Sequence, residues 1–343
     1  MMETLKAGLI GCGGRGRAHA VGYYRSNKVD LVACADPKED AAAELAEEFG
    51  VPRTYSSYEE MLAAEDLDVV GMALWTGLHC EAILACVDAD NPPRMINAEK
   101  PMALTYGDSR RMHQACEAAG IMLTFSHQRR FAPSFSRAKD LLDAGAIGEL
   151  NRLESYCPNL FDWGTHWFDM MLFYNDNRPV EWVMGQIDAT DARTVFGALV
   201  DTYGLSYFRW ENEVTGLLAT GEGHGGTCAN RMIGTNGIIE VHHDAVRLLR
   251  EGKRWEEVEL EECEVPGGAT TLYLLDAIEC LLEGRKSILD SENALQATEL
   301  IFATYESSRR RGRIHLPLEA EDSALISMVE GGQIPWEEGE KSE

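Results

Sequence analysis

The chain has 343 residues, 45% hydrophobic and 26% charged, which is the balance of a folded globular protein and length enough for two domains. Its 57 acidic and 31 basic side chains leave a net charge of −26, a surface that repels phosphate backbones and anionic lipid, so neither nucleic acid nor membrane is expected as a partner. Nine scattered cysteines with no Cys-x-x-Cys argue against a disulfide framework and for a reduced, cytoplasmic protein, and no apolar run is long enough to span a bilayer.

Residues 6–11 read as a short strand running into a glycine turn, followed by a helix over 16–26. Val29–Ala35 is an apolar run of strand length that stops at Asp36-Pro37, and a helix over 37–49 follows, ended by Gly50. The same alternation continues as strand 69–74, helix 78–88, strand 95–98 ending at Glu99-Lys100-Pro101, a helix from Thr105 to Gly120, and strand 121–126. Apolar strands alternating with helices predict βαβ units and a parallel sheet buried on both faces, in a first domain of residues 1–126. The second half reads differently. A helix over 133–144, a strand over 149–157 and a strongly apolar helix over 160–174 precede consecutive strand-like segments: 194–203, 205–210, 213–220, 226–233 and 238–241. Strands without helices between them predict a mainly antiparallel sheet. Helices return at 270–283 and 291–311, so residues 127–320 form an α/β domain and 321–343 a loosely ordered tail.

Three segments carry chemistry. Gly11-Cys12-Gly13-Gly14-Arg15-Gly16 fits G-x-G-x-x-G between a strand and a helix: Gly11 permits the tight turn, Gly13 admits a pyrophosphate, and Gly16 lets helix pack on strand. Asp36, 20 residues after Gly16 at the end of the next strand, suits the adenosine ribose hydroxyls and repels a 2′-phosphate. NAD is therefore favoured over NADP, with Lys38 blunting the preference. Lys100, after a strand of the same sheet, can hold a positive charge against a substrate hydroxyl and favour the alkoxide; a plain surface lysine before a helix-initiating proline is the rival reading. On the apolar segment Leu160–Tyr174, the polar residues Asp162, Thr165, His166 and Asp169 fall at i, i+3, i+4 and i+7, one helical face. Asp162 can orient His166, whose imidazole can take a proton from a hydroxyl as hydride leaves the carbon. The rivals are an internal packing network and a metal site; no further His or Cys ligand accompanies the three, so no metal is expected.

In this order, Gly11–Gly16 with His19, Asp36-Pro37, His79, Glu99-Lys100-Pro101, Gln128-Arg129-Arg130-Phe131-Ala132-Pro133, Gly145–Leu150, Asp162-x-x-x-His166-x-x-Asp169, Tyr305-Glu-Ser-Ser308 and Leu316-Pro317-Leu318 resemble the glucose-fructose oxidoreductase / inositol dehydrogenase / MocA family. The resemblance implies a Rossmann domain followed by an α/β domain whose open, largely antiparallel sheet packs against another subunit, giving a homodimer or homotetramer. It implies that Lys100 contacts the nicotinamide ribose and the substrate hydroxyl, that His166 is the general acid/base with Asp162 as its partner, that His79 and Glu99 line the cofactor site, and that Gln128 and Arg130 reach the substrate. The implied reaction is hydride transfer between NAD and a secondary alcohol of a sugar, glycoside or cyclitol. Two other readings stay open: an NAD-dependent glycosidase without net redox change, and a dinucleotide-binding regulator without chemistry. The stretch Leu74-Trp75-Thr76-Gly77 before His79 departs from the family's usual Thr-Pro-Asn, and Trp75 there can stack on cofactor or narrow the pocket.

Overall fold

The computed structural model describes residues 4–190, 193–221, 229–261 and 265–334. In chain order its elements begin β1 (Leu5–Ile10), α1 (Gly14–Arg25), β2 (Val29–Ala35), α2 (Glu39–Phe49), β3 (Arg53–Tyr55), α3 (Tyr58–Ala64), β4 (Val69–Met72), α4 (His79–Val87), β5 (Met95–Ala98), α5 (Tyr106–Ala119), β6 (Met122–Phe125) and α6 (Pro133–Asp143). They continue as β7 (Leu150–Cys157), α7 (Gly164–Tyr174), β8 (Val180–Asp188), β9 (Arg193–Val195), β10 (Ala198–Val200), β11 (Tyr203–Trp210), β12 (Thr215–Thr220), β13 (Asn230–Gly234), β14 (Gly237–Val241), β15 (Val246–Arg250), β16 (Glu256–Val258), α8 (Gly268–Glu283), α9 (Ser291–Arg310), β17 (Ile314–His315) and α10 (Ala324–Glu330). Two compact units result. The first takes in the described residues up to Ala103, Asp108–Gln128 and the described residues from 265 to Leu295; the second takes in the rest.

The first unit is built on a six-stranded sheet of order β3-β2-β1-β4-β5-β6, all pairs parallel. β4 and β5 are buried at every position, because helices cover both faces of such a sheet. Short β3 and α3 complete the half that binds mononucleotides in this topology, and sequence reading passed over them: three and seven residues carry too little periodicity to register. A division at residue 126 places α8 in the second domain, whereas it packs in the first. Its Leu274 fills the space left by the missing side chain of Gly22 on α1. A buried polar ladder also ties it to the sheet: the Tyr23 hydroxyl donates to Asn97 Oδ1 (2.9 Å), Asn97 Nδ2 to Thr124 Oγ1 (2.8 Å), and Thr124 meets the Tyr273 hydroxyl at 2.9 Å.

The second unit holds a nine-stranded sheet of order β16-β15-β14-β13-β7-β12-β11-β8-β17. Only β7 and β12 pair in parallel; every other pair is antiparallel. Burial alternates along β7, β11 and β12, so one face is packed and the other half open. α7 covers the packed face. Phe168 lies 5.8 Å from the Phe208 ring, and each such ring, wholly buried, is worth roughly 1.5–3 kcal/mol. Several expectations change. The single strand read over 194–203 is a hairpin, β9–β10, because Phe196 and Gly197 adopt positive φ and turn the chain. The apolar helix starts at Gly164, not at 160. The tail assigned to 321–343 contains α10, whose Ala324, Leu325 and Met328 are buried. The first residues of the strand read over 226–233 lie outside the described residues.

Candidate cofactor and catalytic residues

The glycine turn sits where the first sheet reverses its strand order, between β1 and β4, at the carboxyl ends of the strands. Gly11 has φ +88°, and a Cβ there would lie 2.5 Å from the Ala73 carbonyl oxygen. A Cβ on Gly16 would lie 2.0 Å from the Gly11 carbonyl oxygen, so helix and turn approach backbone to backbone. Gly13 and Gly14 instead look into open space. α1 begins at Gly14 with no side-chain cap and no acid in its first turn, which leaves a helix N-terminus suited to a pyrophosphate. Asp36 organises the turn from the neighbouring strand: its Oδ2 accepts the Cys12 N–H at 2.8 Å and its Oδ1 the Lys38 N–H at 2.8 Å. The carboxylate is half-buried and keeps lone pairs for ribose hydroxyls. These features fit a dinucleotide. Trp75, 64% exposed, stands on the loop after β4.

Glu99, at the end of β5, is the electrostatic hub of this unit. Its Oε1 accepts from Arg15 Nε (3.0 Å) and Nη2 (2.6 Å) and pairs with His19 Nε2 at 3.0 Å. Burial pushes the Glu99 pKa up, but the hydrogen bond and charge of His19 and the Arg15 guanidinium outweigh it and hold the carboxyl at about 2. The glycine turn is thus clamped to the turn that carries Lys100, a link that sequence reading missed, although His19 one helical turn beyond Arg15 was its visible sign. Ser126 accepts a further bond from Arg15 Nη2 (3.3 Å) and donates to Gln128 Oε1 (3.5 Å). His79, which the resemblance places at the cofactor site, lies beneath the Lys100-Pro101 turn. It is fully buried, with Nδ1 3.0 Å from the Pro101 carbonyl and Nε2 3.0 Å from that of Leu74, so it braces the Lys100-Pro101 turn from behind. Burial pushes its pKa down, against the pull of these carbonyl contacts. Lys100 itself is half-buried.

In the second unit Asp162 and His166 are both buried, Asp162 in the turn before α7 and His166 in the helix's first turn. The turn is made by Asn159, whose side-chain Oδ1 accepts the N–H groups of Asp162 (2.7 Å) and Trp163 (3.2 Å), and whose carbonyl accepts that of Gly164 (2.9 Å). Asp169 and Arg130 are a buried ion pair. Arg130 Nε and Nη2 donate to Asp169 Oδ2 (2.9 Å) and Oδ1 (2.7 Å), and Nη2 also reaches Asn177 Oδ1 at 3.0 Å. Arg130, which the resemblance places near a substrate, is 2% exposed and pairs with Asp169 and Asn177. Its neighbour Arg129 faces the aromatic residues around His166, its guanidinium 4.4 Å from the Trp167 ring and 5.7 Å from that of Trp163, with Nη1 donating to His243 Nδ1 at 3.1 Å. Burial pushes the Arg129 pKa down to about 10. Of two adjacent arginines, spacing alone could not tell which would turn inward to Asp169. Among the described residues no cluster of three His, Cys, Asp or Glu could hold a metal, and no helix is long and apolar enough to cross a membrane.

Residues 5–127 match the family described as "Oxidoreductase family, NAD-binding Rossmann fold". The chain is 30% identical over 145 residues to the myo-inositol 2-dehydrogenase of Thermotoga maritima, covering 42% of each chain. It is 26% identical to the D-apiose dehydrogenase of Paraburkholderia graminis over 96% of this chain and 95% of that one. Against the inositol dehydrogenase and two further curated relatives, the matched stretch spans 42 to 44% of their length. Its fold is that of the WlbA dehydrogenase from Bordetella pertussis, solved in complex with NADH and UDP-GlcNAcA, with a TM-score of 0.77 at 22% identity over 92% of this chain and 99% of that one.

Proposed function

We propose that the chain, whose residues 5–127 match the oxidoreductase family with an NAD-binding Rossmann fold, is an NAD-dependent dehydrogenase of the Gfo/Idh/MocA type acting on a secondary alcohol of a sugar, glycoside or cyclitol, or reducing the corresponding ketone. The observation that carries this reading is the glycine turn at the strand-order reversal, closed by Asp36 on one side and clamped through Arg15 and Glu99 to the Lys100 turn on the other. Gly11, Cys12, Gly13, Gly14, Arg15 and Gly16 would hold the pyrophosphate and Asp36 the adenosine ribose, with Trp75 flanking the cofactor. Once bound, the dinucleotide supplies the hydride acceptor, or in the reverse direction the donor. The Lys100 ammonium lowers the pKa of the substrate hydroxyl and stabilises the alkoxide. His166 takes the hydroxyl proton, and the Asp162 carboxylate stabilises the imidazolium that forms. Arg129 is the arginine of the Gln128–Arg130 run that we assign to the substrate.

The Lys100→Ala and His166→Ala variants should each lower kcat by at least about 100-fold while NAD binding stays within about two-fold. Two fully active variants would end this mechanism. NADH absorbance should rise during turnover of sugars or inositols; product formation without it would favour the glycosidase reading. The open sheet face, with Met184, Tyr203 and Leu205 exposed at 43, 48 and 47%, supports a homodimer or homotetramer. Seven free, buried cysteines among the described residues support a cytoplasmic setting.

A further inference from the structure

Asp201, between β10 and β11, is a carboxylate at 2% exposure that no Lys or Arg among the described residues pairs. Three donors converge on it instead. The Leu160 N–H is shared between Oδ1 (3.0 Å) and Oδ2 (2.9 Å), the Tyr305 hydroxyl of α9 donates to Oδ1 at 2.7 Å, and the Thr220 hydroxyl of β12 to Oδ2 at 3.2 Å. Leu160 belongs to the turn that presents Asp162 and starts α7. The same turn is held through its side chains. A Cβ on Gly204 would lie 2.6 Å from Leu160 Cδ1, so β11 leaves room for that residue, and the Phe161 ring meets Phe302, one turn before Tyr305 on α9, edge to face at 6.3 Å.

Burial pushes the Asp201 pKa up against the pull of these hydrogen bonds. A carboxylate buried without a cation adds little to stability, and what it supplies is a defined geometry. An acceptor-only group suits three converging donors; an amide at the same place would turn an N–H₂ towards one of them. The turn's address is therefore written by residues 41, 60 and 145 positions away from Leu160, none of which is in the polar stripe.

Resting on the dehydrogenase reading, we propose that Asp201 is a positioning residue for the Asp162–His166 segment, its carboxylate locking Leu160 and hence the turn from which the acid/base helix begins, with Tyr305 locking Asp201 in place. The Asp201→Asn variant should lower kcat by about 10- to 100-fold, as a misplaced acid/base group does, with the NAD dissociation constant within about two-fold of the parent. Tyr305→Phe, which removes one hydroxyl and keeps the ring, should lower kcat in the same direction by about three- to ten-fold. The titration midpoint of His166, followed by NMR and assigned with His166→Asn, should move by about 0.5 pH unit or more in Asp201→Asn, because the Asp162 carboxylate changes its distance from the imidazole. A purely structural residue would lower Tm and leave kcat per folded molecule and the His166 titration unchanged in both variants; that result overturns the proposal. If Asp201→Asn does not fold, Tyr305→Phe decides. If the wild type turns over no sugar or inositol with NAD, the dehydrogenase reading fails alone, and the NMR comparison still decides the positioning role.

Discussion

Glu99 concentrates the chemistry of the first unit at one oxygen. Its usual pKa of 4.5 falls to about 2 because Arg15 and His19 stabilise the ionised form more than burial disfavours it. At about 1.4 kcal/mol per tenfold, the difference corresponds to about 3 kcal/mol as an upper bound. A carboxyl with a depressed folded-state pKa adds stability that is fully present above about 4.5 and is lost as pH falls through about 2. Urea unfolding should therefore show this unit losing stability across that window, and Glu99→Gln should flatten the pH dependence there. A variant with the parental slope would mean that the carboxyl titrates elsewhere. Residue types told little at this scale: Glu99-Lys100-Pro101 was visible as a motif, but that Glu99 accepts from Arg15 and pairs with His19 depends on where α1 lies against β5.

The glycine turn and the α7 segment sit at the scale of single elements, and they differ in how much the sequence disclosed. G-x-G-x-x-G works through local geometry, so its elements were readable in order, and Gly16 and Gly13 separate into two roles. Gly16→Ala would drive a Cβ to 2.0 Å from the Gly11 carbonyl, and it should lower Tm by several degrees as well as abolish NAD binding. Gly13→Ala meets nothing within 4 Å and should leave Tm unchanged, yet weaken NAD at least about ten-fold, because the methyl would occupy the space of the pyrophosphate. Calorimetry with NAD titration checks both; equal affinity in Gly13→Ala would remove the pyrophosphate from this turn. In α7 the apolar periodicity extended the helix to Leu160. Asn159 ends that continuity by capping Asp162 and Trp163 with its own side chain, and Asp201 takes the Leu160 N–H out of the helical pattern.

At the scale of the molecule, the half-open face of the nine-stranded sheet is the feature with a consequence for assembly. Leu205 and Met184 lie on it beside Tyr207, in register across β8 and β11. Leu205→Glu combined with Met184→Glu should convert a dimer or tetramer to monomer in light scattering, since two charges on a desolvated apolar contact each cost several kcal/mol. A parental protein that is monomeric at micromolar concentration would end the assembly reading.

Local rules sufficed for the alternation of strand and helix, the parallel sheet, the glycine turn and its aspartate, because each depends on residues close in the chain with a period or a required φ. Three things came only from the folded chain: the return of α8 to the first unit, the choice of Arg130 rather than Arg129 for burial with Asp169, and the anchoring of Leu160 by Asp201 and Tyr305. Each is a pairing of polar groups or of side-chain volume across tens of residues. Burial decides such pairings by leaving no unsatisfied donor, and one-dimensional patterns carry no record of which donor meets which acceptor.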